Sequence, residues 1–476
     1  MLFGRNNTLK ELQSFKGKKT ASLIVIKGRR RIGKSSLVEE LGKSFKNFYQ
    51  FQGLPPRKDL KPVDQLKNFA EQLSVQFKIP KIVFENWNEA FAYLAKLTVK
   101  EETLLLFDEI SWMGTKDPDF AGKLKIAWDI YFKKNTKLVL ILCGSVSSWI
   151  EENILNNTSF VGRISSVFKL KELSIAACYK FWNNNNSHFR KHDIIRMLSI
   201  TGGIPKYLEE IQLKDSINQN IKRLCFSAEG YLFGDFDRIF SDIFGSRSAV
   251  YLEIISHLIT KPLAANDIFE KLHQEQNGET TKYLVDLEQS GFIARYYNFK
   301  PDGKQSKISF YRISDNYLRF YLKFILPNKE RIEKNSFTFK TLEDLPGWHT
   351  VCGLQFENLL LNRMPEVTSA LSLKSEKILS ASPYVQTKTT RSLPCQIDLL
   401  IACKTNTYYV CEAKFNETVN IDVIEEVKAK IKKLKFPKNS SFRPVLIYSG
   451  ELDRRIIDED YFDRILDVGE MLTHEE

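Results

Sequence analysis

The chain has 476 residues, and at roughly 100–200 residues per domain this predicts two to four domains. Lys and Arg total 70 against 58 Asp and Glu, a formal net charge of +12, with 43% hydrophobic and 27% charged residues. That composition excludes a mostly disordered, collagenous or repeat-only chain. The basic excess admits nucleic acid as a partner without requiring it.

The longest apolar runs, such as Leu138–Cys143, fall far short of the roughly 20 residues that span a bilayer, so no membrane partner is expected. The leading MLFGRNNTLKEL has no apolar core after its basic residues, which predicts no signal peptide. Seven cysteines, none in a CxxC pair, form neither a disulfide framework nor a zinc signature. A reducing, cytoplasmic setting is expected.

In chain order, Ser22–Ile26, Thr103–Phe107 and Lys137–Cys143 read as buried strands of a parallel sheet, with amphipathic segments such as Pro62–Phe77 between them. From Ser174 to Phe233 the pattern is helical. Val250–Ile259, Leu263–His273 and Glu279–Gln289 follow as three helical stretches. Two β-rich runs around a Pro-Asp-Gly turn come next, which is the order of a winged helix. Pro327–Pro346 is charged and reads as a linker. Beyond it Gln355–Met364 is helical, and Asp398–Ala402 and Thr407–Lys414 are strands.

Gly28-Arg29-Arg30-Arg31-Ile32-Gly33-Lys34-Ser35 fits GxxxxGK[ST] between a strand (Leu23–Ile26) and a helix (Ser36–Gly42). Such a loop curls backbone N–H groups around phosphate oxygens, and the helix N-terminus adds its positive dipole end. Lys34 is placed for the β- and γ-phosphates and Ser35 for Mg²⁺. In Leu104-Leu-Leu-Phe-Asp108-Glu109, a buried strand ends in two carboxylates. Asp108 can hold the water shell of Mg²⁺ and Glu109 can polarise the attacking water. Ser145, after Cys143-Gly144, ends a third strand where a small polar residue can sense the γ-phosphate through bound water. Arg163 reads either as an arginine finger, in its own chain or toward a neighbour, or as a structural salt-bridge arginine.

Phe3-Gly4-Arg5 with Glu11-Leu12, GRRRIGKSSL, LLLFDEISW, CGS, GRISS and Thr201-Gly-Gly-Ile-Pro205-Lys-Tyr-Leu208 together resemble the archaeal-type ATPases of the AAA+/STAND group. The resemblance covers roughly the first 235 residues. It implies an additional-strand sheet with a helical lid, ATP with Mg²⁺ as cofactors, Gly4 and Arg5 on the adenine side, and Pro205 of the Gly203–Pro205 element at the nucleotide pocket. Ser36, the first residue of the helix after the loop, belongs to the same nucleotide-binding set. No sensor-2 arginine stands out, which argues against a hexameric motor.

The third helix of the winged-helix pattern carries Glu279, Asp286 and Glu288 against Lys282, a poor surface for phosphates. Its wing is more basic, with Arg295, Lys300, Lys304 and Lys307 among Tyr296, Tyr297 and Phe299. A packing or switching role is therefore expected before sequence-specific DNA reading.

The last third offers Glu357 on a helix, Asp398 in Gln-Ile-Asp-Leu-Leu-Ile, and Glu412-Ala-Lys414. Alternation along a strand puts Glu412 and Lys414 on one face, with Asp398 able to point to the same place. Two carboxylates can hold a divalent ion that activates a water, with the lysine stabilising charge. This resembles the PD-(D/E)xK nuclease fold fused to archaeal-type ATPases, although no acidic residue directly precedes Asp398. The histidines are scattered, and Cys395, Cys403 and Cys411 read as small buried residues.

The expectation is an α/β chain of three parts. A P-loop ATPase domain with helical lid spans residues 1–235, a winged helix 245–326 and a nuclease-like α/β domain 345–476. Its function is a Mg²⁺-dependent ATP-hydrolysing switch coupled to action on nucleic acid, DNA before RNA. The alternative is a nucleotide-gated interaction protein whose C-terminal domain binds without cutting. Nucleotide-dependent self-association or a protein partner fits either.

Overall fold

Five strands make the first sheet: β1 (Ser22–Gly28), β2 (Asn47–Gln52), β3 (Thr103–Asp108), β4 (Leu138–Ser145) and β5 (Ile164–Leu170). They lie in the order β2-β3-β4-β1-β5, every pair parallel. β3 and β4 are buried on both faces, as their unbroken apolar runs require. β4 is therefore inserted between the strand that carries the glycine-rich loop and the strand that ends in Asp108. An aromatic cluster covers one face, in which Phe69 stacks on Phe51 at 4.5 Å and meets Trp87 edge-on at 5.3 Å.

The computed structural model describes residues 3–57, 59–99, 101–145, 148–183, 189–300, 304–373, 376–388, 390 and 392–473. The chain divides into two compact units, Met1–Glu172 and Leu173–Glu476. The helices expected as a lid on the first domain, from Ile175–Asn183 to Ile217–Cys225, thus lie in the second unit. The bonds they make there explain it. Ser199 O accepts from Asn316 at 2.6 Å, and Gly202 O accepts from Arg363 at 2.7 Å.

Between Ser248 and Ile313 the second unit holds helices Ser248–Ser256, Ala265–Lys271 and Gly278–Gln289, in the predicted order. With them is an antiparallel sheet of β6 (Leu263–Ala264), β8 (Gln305–Ile313) and β7 (Ile293–Phe299). The expected Pro301–Gly303 turn lies outside the described residues. The segment read as a linker is packed: Ile332, Leu342 and Leu345 are buried, and Phe337 and Phe339 meet Phe226 at 5.6 and 4.9 Å. Its charges lie between these apolar anchors.

The last sheet has the order β13-β12-β11-β10-β9, made of β9 (Ile378–Gln386), β10 (Cys395–Cys403), β11 (Thr407–Val419), β12 (Ser441–Leu452) and β13 (Arg464–Asp467). β9, β10 and β11 are antiparallel. β11, β12 and β13 are parallel, with the helix Val423–Lys433 as the crossover from β11 to β12. Among the described residues no helix is long and apolar enough to cross a membrane.

Candidate functional site

Register brings the chemistry of the first unit to one edge. Gly28 pairs with Ser145 and Phe107 with Leu142, so the C-terminal ends of β1, β3 and β4 open together. That is where ligands bind in parallel α/β sheets. Gly33 caps the helix Lys34–Gly42 at φ +85°, left-handed backbone that glycine adopts freely. A Cβ on Gly28 would stand 2.8 Å from Leu170 O, so β5 approaches too closely for any side chain there.

Lys34 is buried, and its Nζ donates to Gly28 O at 3.0 Å and Arg29 O at 3.1 Å. The ammonium therefore lies within the turn it serves. Ile32 is buried, and the Arg30 guanidinium lies 5.1 Å from the Trp112 ring. Ser36 sits in the first turn of the helix. Arg31 holds φ +67°, left-handed backbone that residues with a side chain adopt uncommonly. Arg5 donates from Nη2 to Ile32 O at 3.3 Å and also bonds Lys171 O. It thus ties the loop to the end of β5, next to Gly4 at φ +60°.

Ser35 Oγ donates to Asp108 Oδ2 at 2.7 Å, so the two residues expected to share a cation already share a proton. The other oxygen of Asp108 accepts the Glu109 N–H at 3.0 Å. Glu109 is held at φ +48°, a strained value for a residue with a side chain. Its carboxylate accepts from Ser145 N at 3.4 Å and Oγ at 3.3 Å. Ser145 thus engages Glu109 directly, a contact the sequence does not show.

Arg163 is elsewhere. Leu23 pairs with Ile164 and Gly28 with Leu170, which puts Arg163 at the opposite end of the sheet, about 20 Å of strand from the loop. There it binds Asp129, with Nε 3.0 Å from both oxygens and Nη2 2.9 Å from Oδ2. This ion pair holds the Asp129 carboxyl far below the usual carboxylate range. Within its own chain Arg163 is a structural arginine and not a finger. Pro205 opens the helix Pro205–Glu209 of the second unit, a place suited to its fixed φ.

The C-terminal candidates do converge. Leu399 pairs with Cys411, so Asp398 stands beside Glu412, and Asp398 Oδ2 accepts the Ala413 N–H at 3.0 Å. Lys414 Nζ lies 3.2 Å from Glu412 Oε1 and 2.5 Å from Glu426 Oε2. Two members escape the sequence reading. Lys430, on the crossover helix, donates to Glu412 Oε2 and lies 4.0 Å from Asp398 Oδ1, and Glu426 stands one turn before it. Their signal was the i, i+4 spacing, hidden in a lysine-rich run that reads as a solvated face.

Glu357, on the helix Trp348–Leu361, borders a cavity of about 200 Å³ with Lys261, Arg312, Arg319, Gln396 and Asp398. Burial first, then the charge of Asp398, pushes its carboxyl up to about 8. Burial and Glu412 likewise push Asp398 up. Among the described residues no group of three or more His, Cys, Asp or Glu side chains could hold a metal ion. All seven cysteines are free and buried.

Residues 2–211 match a family described as an ATPase domain predominantly from Archaea. Over 367 residues the chain is 26% identical to an uncharacterised protein of Methanocaldococcus jannaschii, covering 75% of this chain and 76% of that protein. The Walker-type ATPase of Pyrococcus abyssi has a similar fold, with a TM-score of 0.50 and 16% identity over 67% of this chain and 96% of the other. The ORC2 protein of Aeropyrum pernix, solved as ADPNP–ADP complexes, gives a TM-score of 0.43 and 13% identity over 69% and 94%.

Proposed function

We propose, from the match of residues 2–211 to a family of ATPase domains predominantly from Archaea, that this chain is an ATP-hydrolysing switch. Its nucleotide state would govern a winged helix and a nuclease-like C-terminal domain acting on nucleic acid. The observation that carries the switch is the meeting of Lys34, Ser35, Asp108, Glu109 and Ser145 at one edge of a parallel sheet.

The residues present fit ATP and Mg²⁺. Gly28 and Gly33 give the backbone the turn that phosphate oxygens need, and Ser35 and Asp108 bring two hard oxygen donors into contact. Mg²⁺ would be held by these two and neutralises charge on the β- and γ-phosphates when bound. Lys34 supplies positive charge to the same oxygens. Glu109 accepts the proton of the attacking water once Ser145 releases its carboxylate. Arg5 fixes the loop from the rear and Gly4 flanks it. Any arginine-finger action of Arg163 would have to be toward a neighbouring chain.

In the C-terminal unit, Asp398 and Glu412 would hold a divalent ion through oxygens, with Lys414 beside the attacked phosphate. The element order from Ser248 to Ile313 supports a winged helix. The acids of its third helix favour switching over base reading, since Asp286 is bonded by Tyr251 Oη at 2.6 Å. Arg295 lies against the Tyr297 ring at 4.7 Å, which leaves the wing as the basic face. A second reading, binding without cleavage, is favoured by the two lysines that already neutralise Glu412.

The test of the switch is nucleotide binding and phosphate release. Lys34→Ala is expected to lose ATP binding in calorimetry. Glu109→Gln is expected to bind ATP and release phosphate at least 100-fold more slowly, as loss of a general base predicts. Full turnover in Glu109→Gln removes that residue from the mechanism.

A further inference from the structure

The Asp398–Glu412 pair is already surrounded by cations of the chain itself. Of its four carboxylate oxygens, three are engaged. Glu412 Oε1 faces Lys414 at 3.2 Å, Glu412 Oε2 accepts from Lys430, and Asp398 Oδ2 accepts the Ala413 N–H at 3.0 Å. The fourth, Asp398 Oδ1, faces Lys430 Nζ at 4.0 Å. The Lys430 ammonium therefore stands between the two carboxylates, where a bridging cation would have to sit.

Burial makes this arrangement matter. The side chains of Glu412 and Asp398 are 5% and 12% exposed, and carboxylates so withdrawn from water require a counter-charge. Lys430 is 27% exposed and sits on a long arm, so its head can leave the pair for solvent. Lys414 is instead shared between Glu426 at 2.5 Å and Glu412 Oε1 at 3.2 Å. Three carboxylates, those of Asp398, Glu412 and Glu426, thus face only two ammonium groups. Removing that of Lys430 leaves a still more negative site with an open position between hard oxygen donors.

We propose that Lys430 is an internal counter-ion of the Asp398–Glu412 pair, which a divalent cation must displace before the site is loaded. The proposal rests on the reading of this pair as a divalent-ion site. Lys430 is thus a gate on metal occupancy, distinct from Lys414, and the site is closed until a cation competes with it.

The probe is Mn²⁺, titrated without nucleotide onto the full chain and read as loss of the free-ion signal in electron paramagnetic resonance. All variants are made in an Asp108→Asn background, which removes the carboxylate at the phosphate loop. Lys430→Met is expected to tighten Mn²⁺ binding about tenfold or more, the size expected from deleting one nearby like charge. Lys430→Arg, which keeps the charge, is expected to stay near the parent. Asp398→Asn is expected to abolish binding.

If Lys430→Met binds no tighter than the parent while Asp398→Asn loses the ion, the pair is a divalent site and the gate is overturned. Binding that persists in Asp398→Asn, or absence of binding in every variant, overturns both the gate and the divalent-ion reading. Thermal melting checks that Lys430→Met is folded. Lys430→Gln, which removes the charge but keeps a hydrogen-bonding head, repeats the test if it is not.

Discussion

Glu357 shows how much one buried carboxyl can report. Its ordinary value is 4.5, and burial with the neighbouring Asp398 raises it to about 8 in the folded chain. Between those values the folded state keeps a proton that the unfolded state has lost, so stability falls as pH rises through this window. Glu357→Gln removes the group that titrates. Thermal unfolding is expected to show the variant melting a few degrees higher at about pH 9 and no higher at about pH 5. A gain that is equal at both pH values would mean that Glu357 is charged in the fold. The same logic with the opposite sign of proton binding holds for His192. Burial lowers its value, so it contributes a loss of stability as pH falls through about 6.5, where the unfolded imidazole takes its proton.

At the scale of elements, the second unit is joined by a buried amide network. Asn316 donates to Ser199 O at 2.6 Å and Gln355 O at 3.0 Å, and its side-chain oxygen accepts from Asn358 at 2.6 Å. Arg319 adds Gln355 Oε1 at 3.1 Å. One residue thus ties the helices Lys191–Thr201, Asn316–Phe320 and Trp348–Leu361. Asn316→Ala strips partners from several buried polar groups at once and is expected to cost about 2–4 kcal/mol in urea unfolding. A loss below about 0.5 kcal/mol would show that these helices are held by apolar packing alone.

The same elements show what the sequence makes legible. Leu104–Phe107 and Leu138–Cys143 are readable as strands because both faces are buried and every residue is apolar. β2 and β5, the edge strands of that sheet, are only partly buried and carry Gln50, Ser165 and Lys169, so no apolar run marks them. Pro327–Pro346 misleads for the converse reason: its charges dominate the composition, while Ile332, Leu342 and Leu345 are the residues that anchor it. At the phosphate loop the motif is local in sequence and therefore complete in it. The C-terminal cluster draws on β10, β11 and a crossover helix, and only the strand members could be paired by alternation. Lys430 and Glu426 come into register only when the helix docks.

For the whole molecule, the two candidate sites lie in different compact units, so the proposed switch requires that the state of one alters the other. The excess of twelve positive charges admits contact with polyanions without requiring it. On the proposed function, specific action would come from Asp398, Glu412 and Lys414, and regulation from ATP. Plasmid, single-stranded DNA and RNA incubated with Mg²⁺ or Mn²⁺ are expected to be cut by the parent chain, DNA before RNA, and not by Asp398→Ala. ATP is expected to change the rate several-fold, and Glu109→Gln is expected to hold the ATP-dependent rate constant through the time course, because it binds without hydrolysing. Cleavage that ignores ATP would sever the coupling while leaving both sites standing. Intact nucleic acid in every metal condition, with retained binding that weakens steeply in salt, would make the C-terminal unit a binding module under nucleotide control.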